Sequence, residues 1–269
     1  MRVNIFGLVT VALISMSNLV WADTASDCKK FYTAADYKNA FVSCSDAAEQ
    51  EDGKAQAILA VMYYHGEGVV QDYTEAARWY MLAAEQGLIG AQYNLALMYE
   101  NGKGVVQNYA EAVRWLKLAA ARGYSGAQLN LGLKYENGKG VVQNYAEAMR
   151  WYKLAAEQGN ADAQFRLGGM YENGDGVVQN YAEAARLFKL AAEQGDDNAQ
   201  YNLGVMYAKG MGVVEDFATA HMWLNLAAAN GFEQAIEGRE TVEQLMTSAQ
   251  VAEAQQRAQA CLDNNYKNC

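Results

Sequence analysis

A 36-residue phrase is written five times in succession, without the gain or loss of one residue, and this constrains the fold more than any other feature of the chain. Ala55, Ala91, Ala127, Ala163 and Ala199 open the copies, and each is followed by Gln (Gln56, Gln92, Gln128, Gln164, Gln200). A fixed period in the range of roughly 20–50 residues marks units that cannot bury their own apolar face and do so by stacking on their neighbours. For a chain of 269 residues the ordinary guess would be one or two globular cores, but a stacked array has a continuous core and no preferred domain size.

One copy reads as a helical hairpin. Ala91, Leu95, Met98 and Tyr99 fall at helical spacing, and Gly102 stands where a left-handed cap costs glycine nothing. Gly104 then allows a sharp link. Asn108 is placed to cap a second helix, with Glu111 three residues on as the reciprocal half of a capping box. The same pair recurs as Asp72/Glu75, Asn144/Glu147 and Asn180/Glu183, whereas the fifth copy has Asp216 with Thr219. Ala112, Trp115, Leu116, Ala119 and Ala120 form the apolar stripe of that second helix. Trp79, Trp115, Trp151 and Trp223 share one repeat position, where the fourth copy has Leu187. Such a schedule describes core rather than a cofactor box. The fold expected is all-α, a right-handed α/α solenoid of stacked helical hairpins.

Fifteen of the 24 glycines occupy three repeat positions, so the Gly-x-Gly pairs punctuate helices. A phosphate loop would need a preceding strand and further motif residues. The net charge is −10 with basic residues scattered, which leaves a nucleic-acid partner little electrostatic support.

Outside the copies the ends have their own character. Arg2, an apolar run from Ile5 to Val20 and the small residues of Val20-Trp21-Ala22 read as a secretory signal peptide over residues 1–22, the alternative being an uncleaved anchor. No later segment is apolar enough to span a bilayer, and the mature chain is expected to be periplasmic or secreted. Four cysteines allow three pairings. The local ones, Cys28–Cys44 and Cys261–Cys269, would staple the two ends, which fray first. Residues 23–54 form an N-terminal cap with a partial copy, residues 55–234 the five copies, and residues 235–269 C-terminal capping helices.

The phrase Ala-x-x-x-Leu-Gly-x-Met-Tyr, then Gly-x-Gly-Val, Asn/Asp-Tyr-x-x-Ala and Trp-Tyr-x-x-Ala-Ala-x-x-Gly, resembles the Sel1-like repeat, a relative of tetratricopeptide repeats. It reads best at Ala199–Tyr207 and Gly210–Val214. The chain departs from that family in having no Pro: Val70, Val106, Val142, Val178 and Val214 stand where many members carry one. The resemblance implies an adaptor that binds proteins. Because some exported, cysteine-rich bacterial members are linked to penicillin binding or weak β-lactamase activity, it implies secondly a protein acting on β-lactam or peptidoglycan fragments.

Catalytic chemistry is hard to find. His65 and His221 occupy different repeat positions and have no ligand partner at metal spacing, so neither a metal nor a cofactor is expected. Ser26-x-x-Lys29 matches a serine β-lactamase motif in form but lacks its companion motifs. The fourth residue of each copy is more informative: Ile58, Asn94, Asn130, Arg166 and Asn202. In solenoids of this kind first helices line the groove, and an amide there can grip a peptide backbone. Lys134 lies one turn beyond Asn130. The binding residues expected are Asn94, Asn130, Lys134, Arg166 and Asn202, and the partner is a protein or extended peptide with an anionic or carboxylate group. The opposing reading is that these amides bond only to neighbouring helices. The function expected is non-enzymatic.

Overall fold

A computed structural model describes residues 24–229, 231–267 and 269. The leader expected over residues 1–22 lies outside them. Every regular element among the described residues is an α-helix. The chain divides into two compact units, residues 1–122 and 123–269.

The first unit contains α1 (24–33), α2 (Tyr37–Glu49), α3 (Gly53–His65), α4 (Tyr73–Glu85), α5 (Ile89–Asn101) and α6 (Tyr109–Ala121). α3 pairs with α4 and α5 with α6, while α2 packs on α3 and α4 on α5, so the hairpins are stacked. Cys28 of α1 and Cys44 of α2 are at disulfide distance, with Cα atoms 4.6 Å apart.

The second unit contains α7 (Ser125–Asn137), α8 (Tyr145–Glu157), α9 (Ala161–Asn173), α10 (Tyr181–Ala192), α11 (Asp197–Lys209), α12 (Phe217–Ala229), α13 (Glu233–Glu243) and α14 (Ser248–Asp263). Its hairpins are α7/α8, α9/α10 and α11/α12, and both α13 and α14 close onto α12. Ala258 and Cys261 of α14 join the core around Phe188, Met206 and Trp223. Cys261 and Cys269 are at disulfide distance, with Cα atoms 5.2 Å apart.

The glycines set the stacking register. Gly102 ends α5 with φ +66°, and Gly104 follows with φ +68°. A Cβ on Gly104 would fall on the backbone carbonyl of Tyr73 at the start of α4, as one on Gly68 would on Tyr37 and one on Gly212 on Tyr181. The second link glycine is thus where one hairpin's link touches the previous hairpin's second helix, a contact that admits no side chain.

The glutamates do not complete capping boxes. Asn108 accepts from the N–H groups of Ala110 and Glu111, as expected of a cap. Glu111, however, pairs with Arg114 at 2.9 Å instead of reaching back, and Glu75, Glu147 and Glu183 likewise pair with Arg78, Arg150 and Arg186. The arginine one turn on offers a charged partner, which outbids a neutral backbone N–H. The reciprocal box forms instead at Thr247 and Gln250, ahead of α14.

The Gln in second place in each copy is buried, and this the repeat pattern did not explain. Gln92 donates to the carbonyl of Ala84 at 3.1 Å, and Gln56, Gln164 and Gln200 make the equivalent bond to Ala48, Ala156 and Ala192. A second Gln, 30 residues on, donates to its free oxygen: Gln86 to Gln56 at 2.9 Å, Gln158 to Gln128 at 2.7 Å and Gln194 to Gln164 at 2.8 Å. The amide pairs tie the two helices of one hairpin together, and the bonds to the carbonyls fasten that hairpin to the one before. In the second copy the donor position is Arg122, which bonds the carbonyl of Gly87 instead, and the Gln92 oxygen is left without a partner.

Candidate functional site: the first-helix faces

In the first unit, the fourth-residue positions of two successive copies open onto clefts. Ile58 lines one of about 480 Å³ together with Ser26, Lys29, Lys30, Asp52 and Lys54. Asp52 is committed to capping α3 through the N–H of Ala55 at 2.7 Å, and Lys30 approaches Asp27 at 3.7 Å. Lys29 and Lys54 still leave the cleft basic, on a chain that is acidic as a whole.

Asn94 lines the next cleft, of about 260 Å³, with Val61, Tyr64, His65, Tyr80 and Asn101 among its walls. The Asn94 amide donates to the Tyr80 hydroxyl at 3.2 Å. Burial pushes the Tyr80 phenol above its usual range, against the pull of the Asn94 bond. At the rim, Lys103 donates to the Tyr64 hydroxyl at 2.9 Å, and the Tyr64 and Tyr73 rings meet edge-on at 5.1 Å. The arrangement offers an aromatic wall, an amide with a free carbonyl edge and an exposed imidazole, a set suited to holding peptide backbone and side chains.

In the second unit the expected residues are not alike. Arg166 is exposed on α9, Asn130 and Asn202 are half-buried, and Lys134 is buried at 4% exposure. Lys134 therefore lies within α7's packing and does not stand as an open charge beside Arg166. The Tyr152 hydroxyl donates to the Glu136 carboxylate. Burial first, and Glu136 second, push that phenol well above its usual range, while Arg166 opposes the shift. Tyr152, Glu136 and Arg166 thus form one polar group on the first-helix side of this unit.

The sequence did not single out Tyr80, Tyr152, Glu136 or, in the N-terminal cleft, Lys30 and Lys54; Lys29 stood out only in the Ser26-x-x-Lys29 match. The first two occupy a position that otherwise holds Leu or Phe (Leu116, Phe188, Leu224), and a hydroxyl in two copies of five was the available signal. Of the histidines, His65 is exposed at the Asn94 cleft, whereas His221 is fully buried with Nε2 2.7 Å from Glu243. Among the described residues no group of His, Cys, Asp and Glu could hold a metal ion, and no helix is long and apolar enough to cross a membrane.

Stacked helical hairpins with open first-helix clefts define a repeat scaffold. The family profile described as Sel1 repeat matches residues 53–88, 89–124, 125–160, 161–196 and 197–232, and the chain belongs to that family. A solved Sel1 repeat protein from Oxalobacter formigenes is similar at 36% identity, over 76% of this chain and 84% of that one, with a TM-score of 0.72. A second is c5321, described as a protective antigen present in uropathogenic Escherichia coli strains and displaying an SLR fold. It shares 33% identity over 94% of this chain, with a TM-score of 0.83, and this chain spans 55% of its length. No curated protein matches the chain. Proteins of this family are generally non-enzymatic scaffolds that mediate protein interactions.

Proposed function

We propose that the protein is an exported scaffold that binds an extended polypeptide segment bearing an anionic or carboxylate group along its first-helix faces. The observation that carries this reading is the pair of clefts in the first unit at the successive positions Ile58 and Asn94, one basic and one aromatic and amide-lined. Two clefts at one repeat register suit successive stretches of one extended ligand better than a single compact one. The lysines supply the attraction for an anionic group, and in the second unit exposed Arg166 offers another. Export, to the periplasm or beyond, is supported by the two cysteine pairs, since disulfides persist in oxidising compartments. The likeness to an E. coli protective antigen is compatible with a place outside the cytoplasm.

Titration of fluorescent acidic peptides tests the reading. Binding should weaken with salt and fall at least roughly tenfold in the double variant Lys29→Glu, Lys54→Glu, with thermal stability unchanged. Peptide binding indifferent to both would refute it. The alternative, action on β-lactams, has one supporting observation: Ser26 and Lys29 line the same cleft. Nitrocefin turnover by pure protein that is lost in Ser26→Ala would favour that alternative.

A further inference from the structure

The position where the fourth copy has Leu187 instead of Trp lies at the foot of a cleft away from the first-helix clefts described above. Trp79, Trp115 and Trp151 are buried, and the guanidinium of the residue before each stands 4.0, 4.2 and 4.0 Å from the ring centroid. Each of those arginines is held by the glutamate three residues earlier. The fourth copy keeps the clamp, with Arg186 on Glu183 at 2.6 Å, but beneath it stands an isobutyl group. A cleft of about 380 Å³ opens there among α8, α9 and α10, floored by Leu167, Leu187 and Leu190 and rimmed by Lys153 and Arg186. The equivalent cleft of the first copy is lined by Gln56, Leu82 and Gln86 and stops short of both Arg78 and Trp79. That first-copy cleft is of similar size, about 410 Å³, so the difference is one of reach: with the indole in place the Arg78 guanidinium covers a ring, and with Leu187 in its stead the cleft runs in to Arg186 and Leu187.

We propose that this cleft takes an aromatic side chain, indole foremost, presented by a polypeptide partner and lodged between the Arg186 guanidinium and the leucine floor. The same chain builds that sandwich three times with its own tryptophans, so the electrostatic match between ring face and guanidinium is already demonstrated in this scaffold. Glu157 and Glu183 line the cleft as well, and Glu183 is committed to Arg186. The buried polar group in the wall, Gln164, is spent at both ends: its nitrogen on the Ala156 carbonyl and its oxygen on Gln194. This site does not depend on the first-helix reading, since none of its residues is among those that reading uses, although Gln164 and Leu167 share α9 with Arg166.

N-acetyl-L-tryptophanamide, with N-acetyl-L-leucinamide as control, titrated into the full-length chain by ¹H–¹⁵N NMR, tests the site. Saturable shifts centred on Leu187 and Leu190 are expected with the indole probe and at least roughly tenfold weaker with the leucine probe. Leu187→Trp should abolish the shifts, because the chain then fills its own cleft. Should that variant fail to fold, Arg186→Gln should weaken binding several-fold, while Arg150→Gln, whose guanidinium already covers Trp151, should not. A displayed peptide library selected on the chain should be enriched in aromatic residues, and that enrichment should vanish on Leu187→Trp. Equal binding of the two probes, or an Arg186→Gln variant that binds as the parent does, overturns the site. Indole binding without aromatic enrichment overturns the polypeptide partner.

Discussion

Arg122→Gln should stabilise the first unit, although it deletes a hydrogen bond. In the copies where the donor position holds Gln, its amide satisfies the buried Gln oxygen 30 residues earlier, at 2.9, 2.7 and 2.8 Å. In the second copy Arg122 turns to the Gly87 carbonyl, and the Gln92 oxygen is buried with no partner. An orphaned buried acceptor costs about 1–3 kcal/mol, whereas the exposed Arg122 bond contributes about 0.5–1.5 kcal/mol. The balance favours Gln by about 1 kcal/mol, which corresponds to a rise in Tm of roughly 2–4 °C for a chain of this size. Gln86→Ala, which orphans the Gln56 oxygen, should move Tm the other way. Calorimetry or a CD melt at fixed pH and salt reads both. A Tm that falls in Arg122→Gln, or one that ignores both substitutions, would show that the buried amide ladder does not fasten the hairpins.

Trp115→Ala removes a buried ring from the stripe of α6 and should cost about 3–5 kcal/mol, lowering Tm by roughly 10 °C or more; an unchanged melt contradicts the packing. Peptide mapping of oxidised protein should recover Cys28–Cys44 and Cys261–Cys269, and a Cys44–Cys261 bridge would refute the end staples. The bond to Arg186 holds Glu183 below the ordinary carboxylate range. A carboxyl depressed in the folded state adds stability above the unfolded chain's glutamate pKa and loses it as pH falls through the folded value. Because the pair is partly exposed the effect is small, and Glu183→Gln should flatten the acid limb of the stability curve below about pH 4.5 by under about 1 kcal/mol.

Much of the architecture was legible because a repeat states its own rules five times. The stop glycines, the buried tryptophans and the Asn and Asp caps follow from residue type and spacing alone. What the pattern could not fix was where a flexible polar side chain goes. Glu111 has two partners within reach, the N–H of its own helix start and Arg114, and only packing and charge decide between them. Lys134 sits at helical spacing from Asn130, but spacing gives no depth, and a long aliphatic stem lets a lysine run into the packing. The Gln pairs join residues 30 apart, beyond any local pattern. The cleft at Leu187 was visible only as a missing Trp, which has no meaning until its neighbours are placed.

The claim that first-helix faces receive an extended polypeptide is tested most directly by mapping a peptide, selected by display for binding the full-length chain, through its amide shift perturbations. The account predicts a footprint on α3 and α5 around Ile58 and Asn94, with Tyr80 of α4 shifted beside Asn94, lost on Lys29→Glu with Lys54→Glu. A footprint confined to the second helices, with Lys54 and Asn94 untouched, would contradict it.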